Sequence, residues 1–326
     1  MRRSAWFVLG VVPRVFLGVV LLQVLLLAAG CTCRSGRNAR EGSEGQAEAQ
    51  AGVQAGVQAQ AQAEGQIPVL VITDIGTDVD DALALYVLAR SPQLHCVGIA
   101  CTAADAPRRA ATARHLLSLL GANTPVGCGP AFIDSVLRAT QQPLTVLLLA
   151  QATDLTAALA QTPAPAIARI YYQAHATVDP ATNRLVPHSE SFNVSEDVPA
   201  AEALLAFQDR IPFTFVGKQA VYPFAVPRVV FDSLRRTGHP ADAYLYNAAH
   251  ESLRRFALTR PRIFCRVYHI DTTGLNVADS TTMLRVVDTL STLSNPYDAV
   301  TVLALTHPEL LQFDSISPGH LIARPK

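Results

Sequence analysis

Val69-Leu70-Val71-Ile72-Thr73-Asp74-Ile75-Gly76-Thr77-Asp78-Val79-Asp80-Asp81-Ala82-Leu83-Ala84-Leu85 passes from an apolar run through an acidic segment into a second apolar stretch. Val69 to Thr73 has the length and β-branched content of a buried strand. From Asp81 to Arg90 the apolar positions, Leu83, Leu85 and Leu88 among them, predict a helix. A strand feeding a helix through a short loop opens a βα unit, and open parallel sheets bind ligands beyond the carboxyl ends of their strands. Asp74 stands at that end. With Asp78, Asp80 and Asp81 it places four carboxylates within eight residues, which repel one another unless solvated or neutralised. No cysteine or histidine lies in the loop, and oxygen-only ligands suit a hard ion such as Ca2+ or Mg2+. Three other readings compete. Asp80 and Asp81 would also suit a helix N-terminus with no metal, which leaves Asp74 unexplained. An EF-hand loop needs a preceding helix, Gly at its sixth position and Glu at its twelfth, where Val79 and Leu85 stand. A phosphatase nucleophile would commonly show D-x-D directly after the strand, but Gly76 fills the second slot.

Outward from this unit the same texture repeats. Leu94 to Cys101, Leu144 to Leu149, Ile167 to Tyr172 and Ile211 to Val216 predict strands; Arg108 to Leu120, ended by Gly121, Asp154 to Leu159 and Pro199 to Phe207 predict helices. The last third is more helical, over Val229 to Arg236, Ala241 to Phe256, Ser280 to Thr289 and Asp298 to Leu305. The alternation predicts one α/β domain over residues 67–326, with an open doubly wound, mostly parallel sheet flanked by helices around a Rossmann-like core. Half of the 326 residues are apolar, 16% are charged and the formal net charge is zero, so no overall electrostatic footprint argues for nucleic acid or an anionic membrane surface. A small neutral ligand fits better.

The N-terminus reads as a targeting signal over residues 1–30: Arg2 and Arg3 precede a largely apolar run from Val15 to Ala29, short for a spanning helix. Leu27-Ala28-Ala29-Gly30-Cys31 resembles a bacterial lipobox, with Ala28 where a larger aliphatic residue is usual; acylated Cys31 would be a lipid anchor to a membrane. This predicts export from a bacterial cytoplasm and a lipoprotein facing the periplasm or cell exterior. Residues 31–66 fall into Ala, Gln, Gly and Glu, including two Ala-Gly-Val-Gln repeats from Ala51 to Gln58, the composition of a flexible linker. The six cysteines have no metal-binding spacing, and Cys96 and Cys101 read as small buried hydrophobes.

Val71 to Leu85 resembles the N-terminal signature of the inosine/uridine-preferring nucleoside hydrolase family, in the form found in its secreted bacterial branches. Further segments follow in the family's order. Val97 to Asp105 is similar to the second-strand loop, Thr124-Pro125-Val126 to Gly129 to its third strand, and Ala150 to Leu155 to its "GPLTNL" turn. Ser191-Phe192-Asn193 through Asp197 to Ala201 resembles "EFN…D..AA", and Pro296 to Glu309 resembles the C-terminal "HDP.A…P" helix. The resemblance spans Ile67 to about Phe313.

It implies calcium-dependent hydrolysis of the N-glycosidic bond of a nucleoside-like compound, releasing base and ribose. The implied Ca2+ ligands are Asp74, Asp81, the main-chain oxygen of Thr153, and Asp298, with Asp74 also the general base. Asp80, Asn193 and Asp105 are the implied sugar contacts, and a homo-oligomer is expected. Two positions depart from the family. Ser191 stands where the family carries the glutamate that holds the ribose 5′-hydroxyl, with Glu190 one place off. Tyr297 replaces a histidine that serves leaving-group protonation in some members, and a tyrosine is an acid of higher pKa. The competing functions are a catalytically weak calcium- and sugar-binding lipoprotein of the same fold and a metal-dependent phosphohydrolase, the latter without a phosphate-cradling Gly-rich loop. Asp78 has no assigned role, and Arg108 and Arg109 read as a solvated helix face.

Overall fold

The computed structural model describes residues 65–162 and 165–326. The signal segment, Cys31 and the linker up to residue 64 lie outside the described residues.

β1 (Ile67–Thr73) is covered on both faces. Successive side chains of a strand point to opposite sides, so Val69 and Val71 enter one core while Leu70 and Ile72 enter the other, and all four are fully buried. The chain then runs through α1 (Asp80–Ala89), β2 (Leu94–Cys101), α2 (Ala106–Leu120), β3 (Val126–Cys128) and α3 (Gly129–Ala139). β4 (Leu144–Leu148), α4 (Thr153–Gln161) and β5 (Ile167–Tyr172) follow, and then a hairpin of β6 (Ala176–Asp179) and β7 (Arg184–Pro187). Next come α5 (Phe192–Ser195), α6 (Val198–Leu205), β8 (Phe213–Phe215), α7 (Lys218–Val221) and β9 (Val226–Pro227). The C-terminal third contains α8 (Arg228–Arg236), α9 (Pro240–Thr259), α10 (Pro261–Val267), α11 (Ser280–Thr289), β10 (Thr292–Ser294), α12 (Tyr297–Thr306), β11 (Leu311–Ser317) and β12 (His320–Pro325).

The main sheet has eight strands in the order β11-β12-β8-β5-β4-β1-β2-β3, parallel throughout except for the β11–β12 hairpin at one edge. This is the open, mostly parallel α/β sheet expected. From β1 the chain winds outward through β2 and β3, then returns to the other side of β1 at β4 and continues to β5 and β8. The loops leaving β1 and β4 therefore part at the carboxyl edge, where a doubly wound sheet opens its ligand crevice. One layer of helices packs Leu83, Leu85, Leu116, Leu253 and Leu303 against Val69 and Val71; the other packs Ile133, Leu155 and Leu204 against Leu70 and Ile72.

Gly121 ends α2 as expected, with a left-handed φ of 68° that suits a residue without Cβ. Elements absent from the sequence expectation include α3, the β6–β7 hairpin, α10, and the β11–β12 hairpin that widens the sheet. Docking of α3 depends on Gly127 in β3, since a Cβ there would lie 2.2 Å from the Phe132 ring. Gly127→Ala is expected to cost about 1–3 kcal/mol through this overlap, read as a lower urea midpoint with an unchanged m-value.

Candidate active site and metal centre

The acidic loop leaves β1 at Asp74 and reverses through Gly76, whose φ of 103° is a conformation that L side chains resist. It re-enters regular structure at Asp80 and Asp81, the first two residues of α1. α12 packs beside α1 and carries Asp298 in its own first turn. The result gathers residues far apart in the chain: carboxylate oxygens of Asp80, Asp81 and Asp298 all lie within 4.8 Å of one another. Two helix N-termini thus present their partial positive charge to one cluster. Asp81 accepts a hydrogen bond from Thr73 Oγ1 and is hydrogen-bonded to Asp298. Asp74 is not in this trio.

The electrostatics ask for a cation. Asp80, Asp81 and Asp298 are 9%, 3% and 4% exposed. Burial first, and the neighbouring carboxylates second, hold all three well above the usual carboxylate range. Asp74 is also raised, again by burial, with Glu196 and Asp78 adding to the shift and the Arg109 guanidinium opposing it. Among the described residues no Lys, Arg or His forms an ion pair with any of these four aspartates. Three close, desolvated oxygen donors with no ion-paired side chain among the described residues fit a hard divalent ion.

The loop is clamped from both sides. Arg109 on α2 donates from Nη1 to Ile75 O at 3.1 Å and Thr77 Oγ1 at 3.0 Å, and from Nε to Ala104 O at 2.9 Å. Arg255 on α9 donates to the carbonyls of Gly76 and Thr77. Asp78, which had no role in the sequence reading, accepts from Val79 N at 2.6 Å and from Ser252 Oγ of α9 at 3.3 Å. It anchors the loop. Arg109 likewise differs from the solvated residue expected, because its guanidinium is spent on loop carbonyls; Arg108 does stay exposed, 3.7 Å from Asp105. Nothing local in the sequence marks these contacts, since Arg255 lies 178 residues from Thr77. Arg109→Ala is expected to lower calcium affinity by about 10–100-fold while the protein stays folded. Arg109→Lys should not restore it, since an ammonium lacks the fork that spans two acceptors; calcium titration calorimetry on both variants measures this.

The facing wall comes from the loops after β4, β5 and β7. Thr153 opens α4, and its Oγ1 donates to Asp197 Oδ2 at 2.6 Å, which fixes the backbone of that turn against the N-cap of α6. Thr102 Oγ1 donates to Asp154 Oδ2 at 2.6 Å, joining the β2 and β4 loops. Asn193 is buried, and its amide nitrogen donates to Leu149 O, Gln173 O and Gln173 Oε1 at 3.0, 3.1 and 2.8 Å. Its donors serve the scaffold, which leaves the side-chain oxygen for other contacts. Tyr172 donates to Asn193 O at 3.3 Å from beneath, so this tyrosine is strand packing. Ser191 is buried at the N-cap of α5, while Glu190 beside it is exposed. Asp105, at the end of the β2 loop, is exposed with a left-handed φ of 63°.

Tyr297 precedes Asp298, and burial, with Tyr222, Asp80 and Asp78 nearby, pushes its hydroxyl well above the ordinary tyrosine value. Tyr268 is also raised, by burial first and then by Asp78, Tyr297 and Asp80 nearby. Sequence reasoning missed Tyr268, which sits just after α10. His175 and His188 meet edge to face at 5.3 Å where β5 and β7 end.

No family model and no curated protein matches the chain in sequence. Solved structures do match in fold. The effector protein XOO4466 superposes with a TM-score of 0.64 at 19% identity, covering 85% of this chain and 92% of its own. The type III effector protein XopQ, solved with adenosine diphosphate ribose, gives 0.60 at 21% identity over 79% of this chain and 87% of its own. A plant nucleoside hydrolase, PpNRh1, gives 0.56 at 18% identity over the same 79% and 87%. The described chain therefore has the nucleoside hydrolase fold, with its acidic loop at the crevice where the strand order reverses.

Proposed function

We propose that this site hydrolyses the N-glycosidic bond of a nucleoside-like compound with the help of calcium. The observation that carries the reading is the meeting of Asp80 and Asp81 with Asp298, from helices more than two hundred residues apart in sequence, at the sheet's ligand-binding edge. Asp74, Asp81, the main-chain oxygen of Thr153 and Asp298 would hold the ion. When bound, calcium supplies the missing positive charge and lowers the pKa of an attacking water. Asp74 would accept that water's proton as the anomeric carbon is attacked, and burial holds its carboxyl above the ordinary value. Asp80 would hold a ribose hydroxyl, Asn193 would offer its side-chain oxygen, and the negative carboxylates would favour an oxocarbenium-like transition state. Tyr297 keeps its proton throughout the physiological range and can give it to the departing base. The adenosine diphosphate ribose complexed with XopQ supports a ribosyl compound as the substrate class.

The protein as a whole is proposed to be an exported lipoprotein anchored through Cys31, and a homo-oligomer. A second reading, a calcium- and sugar-binding protein without turnover, is favoured by one observation: the Asn193 amide donors are taken by the scaffold. A panel of purine, pyrimidine and modified nucleosides with ADP-ribose separates the two. Free base from at least one member, with free ribose from a nucleoside or the ribosyl diphosphate remnant from ADP-ribose, supports the hydrolase; calcium binding with every member left intact supports the binding protein.

A further inference from the structure

Charge on this neutral chain is unevenly spread. Between Glu251 and Asp271 it carries Arg254, Arg255, Arg260, Arg262 and Arg266 and no acidic residue. Arg254 is paired with Asp288 at 3.4 Å and Arg255 with the acidic loop. Arg260, Arg262 and Arg266 are exposed and, among the described residues, have neither an ion pair nor a side-chain hydrogen bond. They surround the short helix α10, which is inverted on its outer side. Phe264 and Cys265 are buried, but Ile263 and Val267, one helical turn apart, are 46% and 39% exposed, and Leu258 at the end of α9 is 43% exposed. A groove of about 300 Å³ opens beside them between Arg260, Arg262, Ile263 and Val277.

We propose that α10 and the end of α9 form a docking surface for an anionic phospholipid bilayer. Three free guanidinium groups match a layer of lipid phosphates, while Leu258, Ile263 and Val267 can enter the boundary between headgroups and acyl chains. A second copy of this chain fits poorly, because a twofold interface would set the arginines against their own equivalents. The proposal is independent of the catalytic reading; the lipid anchor proposed at Cys31 would keep a bilayer within reach.

The test uses the full chain on vesicles, with backbone hydrogen exchange read over residues 258–269, so that attachment by the N-terminus does not enter the readout. Vesicles of phosphatidylcholine are compared with vesicles in which about a third of the lipid is phosphatidylglycerol. Exchange should slow about tenfold or more on the anionic vesicles only. High salt should reverse the slowing, and so should the triple change Arg260→Gln, Arg262→Gln, Arg266→Gln. Ile263→Ser with Val267→Ser should weaken it with the charges intact, which guards against a fold defect peculiar to the arginine variant. Equal exchange on both vesicle types overturns the proposal, as does slowing that persists in the triple variant. Slowing by polyglutamate but not by anionic vesicles also overturns it, in favour of an acidic protein partner.

Discussion

Asp81→Asn and Asp298→Asn are each expected to lower kcat/KM by about a thousandfold or more and, at the same time, to raise the melting temperature of the calcium-free protein. The two effects have one cause. Folding buries Asp80, Asp81 and Asp298 within 4.8 Å of one another and charges the native state with repulsion that no ion pair offsets. Removing one carboxylate relieves that repulsion and also removes a proposed calcium ligand. The pH dependence has a definite sign. These carboxyls hold their protons to higher pH in the folded chain than in the unfolded one, whose value lies near 3.8. Between the two values the folded state binds more protons, so calcium-free stability is greatest below the unfolded value and falls as pH rises through the folded ones. Calcium reverses the trend, because its ligands must be deprotonated and its affinity rises with pH. Calorimetry with chelator and with calcium, across pH, should show wild type losing the first slope on loading, and the asparagine variants keeping a shallower chelator slope that calcium does not remove.

Asp74→Asn should separate catalysis from metal binding. Asp74 sits at the end of β1 outside the carboxylate trio, so its loss is expected to weaken calcium binding less than loss of Asp81. If it accepts the proton of the attacking water, kcat should fall by about 10²–10⁴-fold. Measuring kcat at saturating calcium beside the calcium dissociation constant distinguishes the roles. Loss of calcium as complete as in Asp81→Asn would make Asp74 a ligand first.

The fold was legible where burial is strongest. β1, β2, β4 and β5 read as strands because a central parallel strand needs apolar residues on both faces, and α1 was marked by the aspartates at its first turn. The edge hairpin was not: β11 alternates Leu311 and Phe313 with Gln312 and Asp314, as a half-exposed strand does, and its partner ends in Arg324 and Pro325. α10 was hidden because its apolar residues point both inward and outward. At the site, Asp80 and Asp81 stand out in the acidic run itself, whereas Asp298 could be named only through the resemblance of Pro296 to Glu309 to the family's C-terminal helix. Arg109, Asp78, Ser252 and Arg255 could not, since their roles exist only once α2 and α9 lie against the loop. Asn193 was located by its motif, but the direction of its amide follows from Gln173, twenty residues away in the chain.

Calcium-dependent release of free ribose by one preparation tests the central claim most directly. The chelator-stripped protein should leave the best panel substrate intact. Calcium should restore ribose and base release in equal amounts, saturating at one ion per chain, and Asp298→Asn should not respond. Hydrolysis that continues undiminished without calcium, or a chain that binds calcium and releases no free base from any member of the panel, would contradict it.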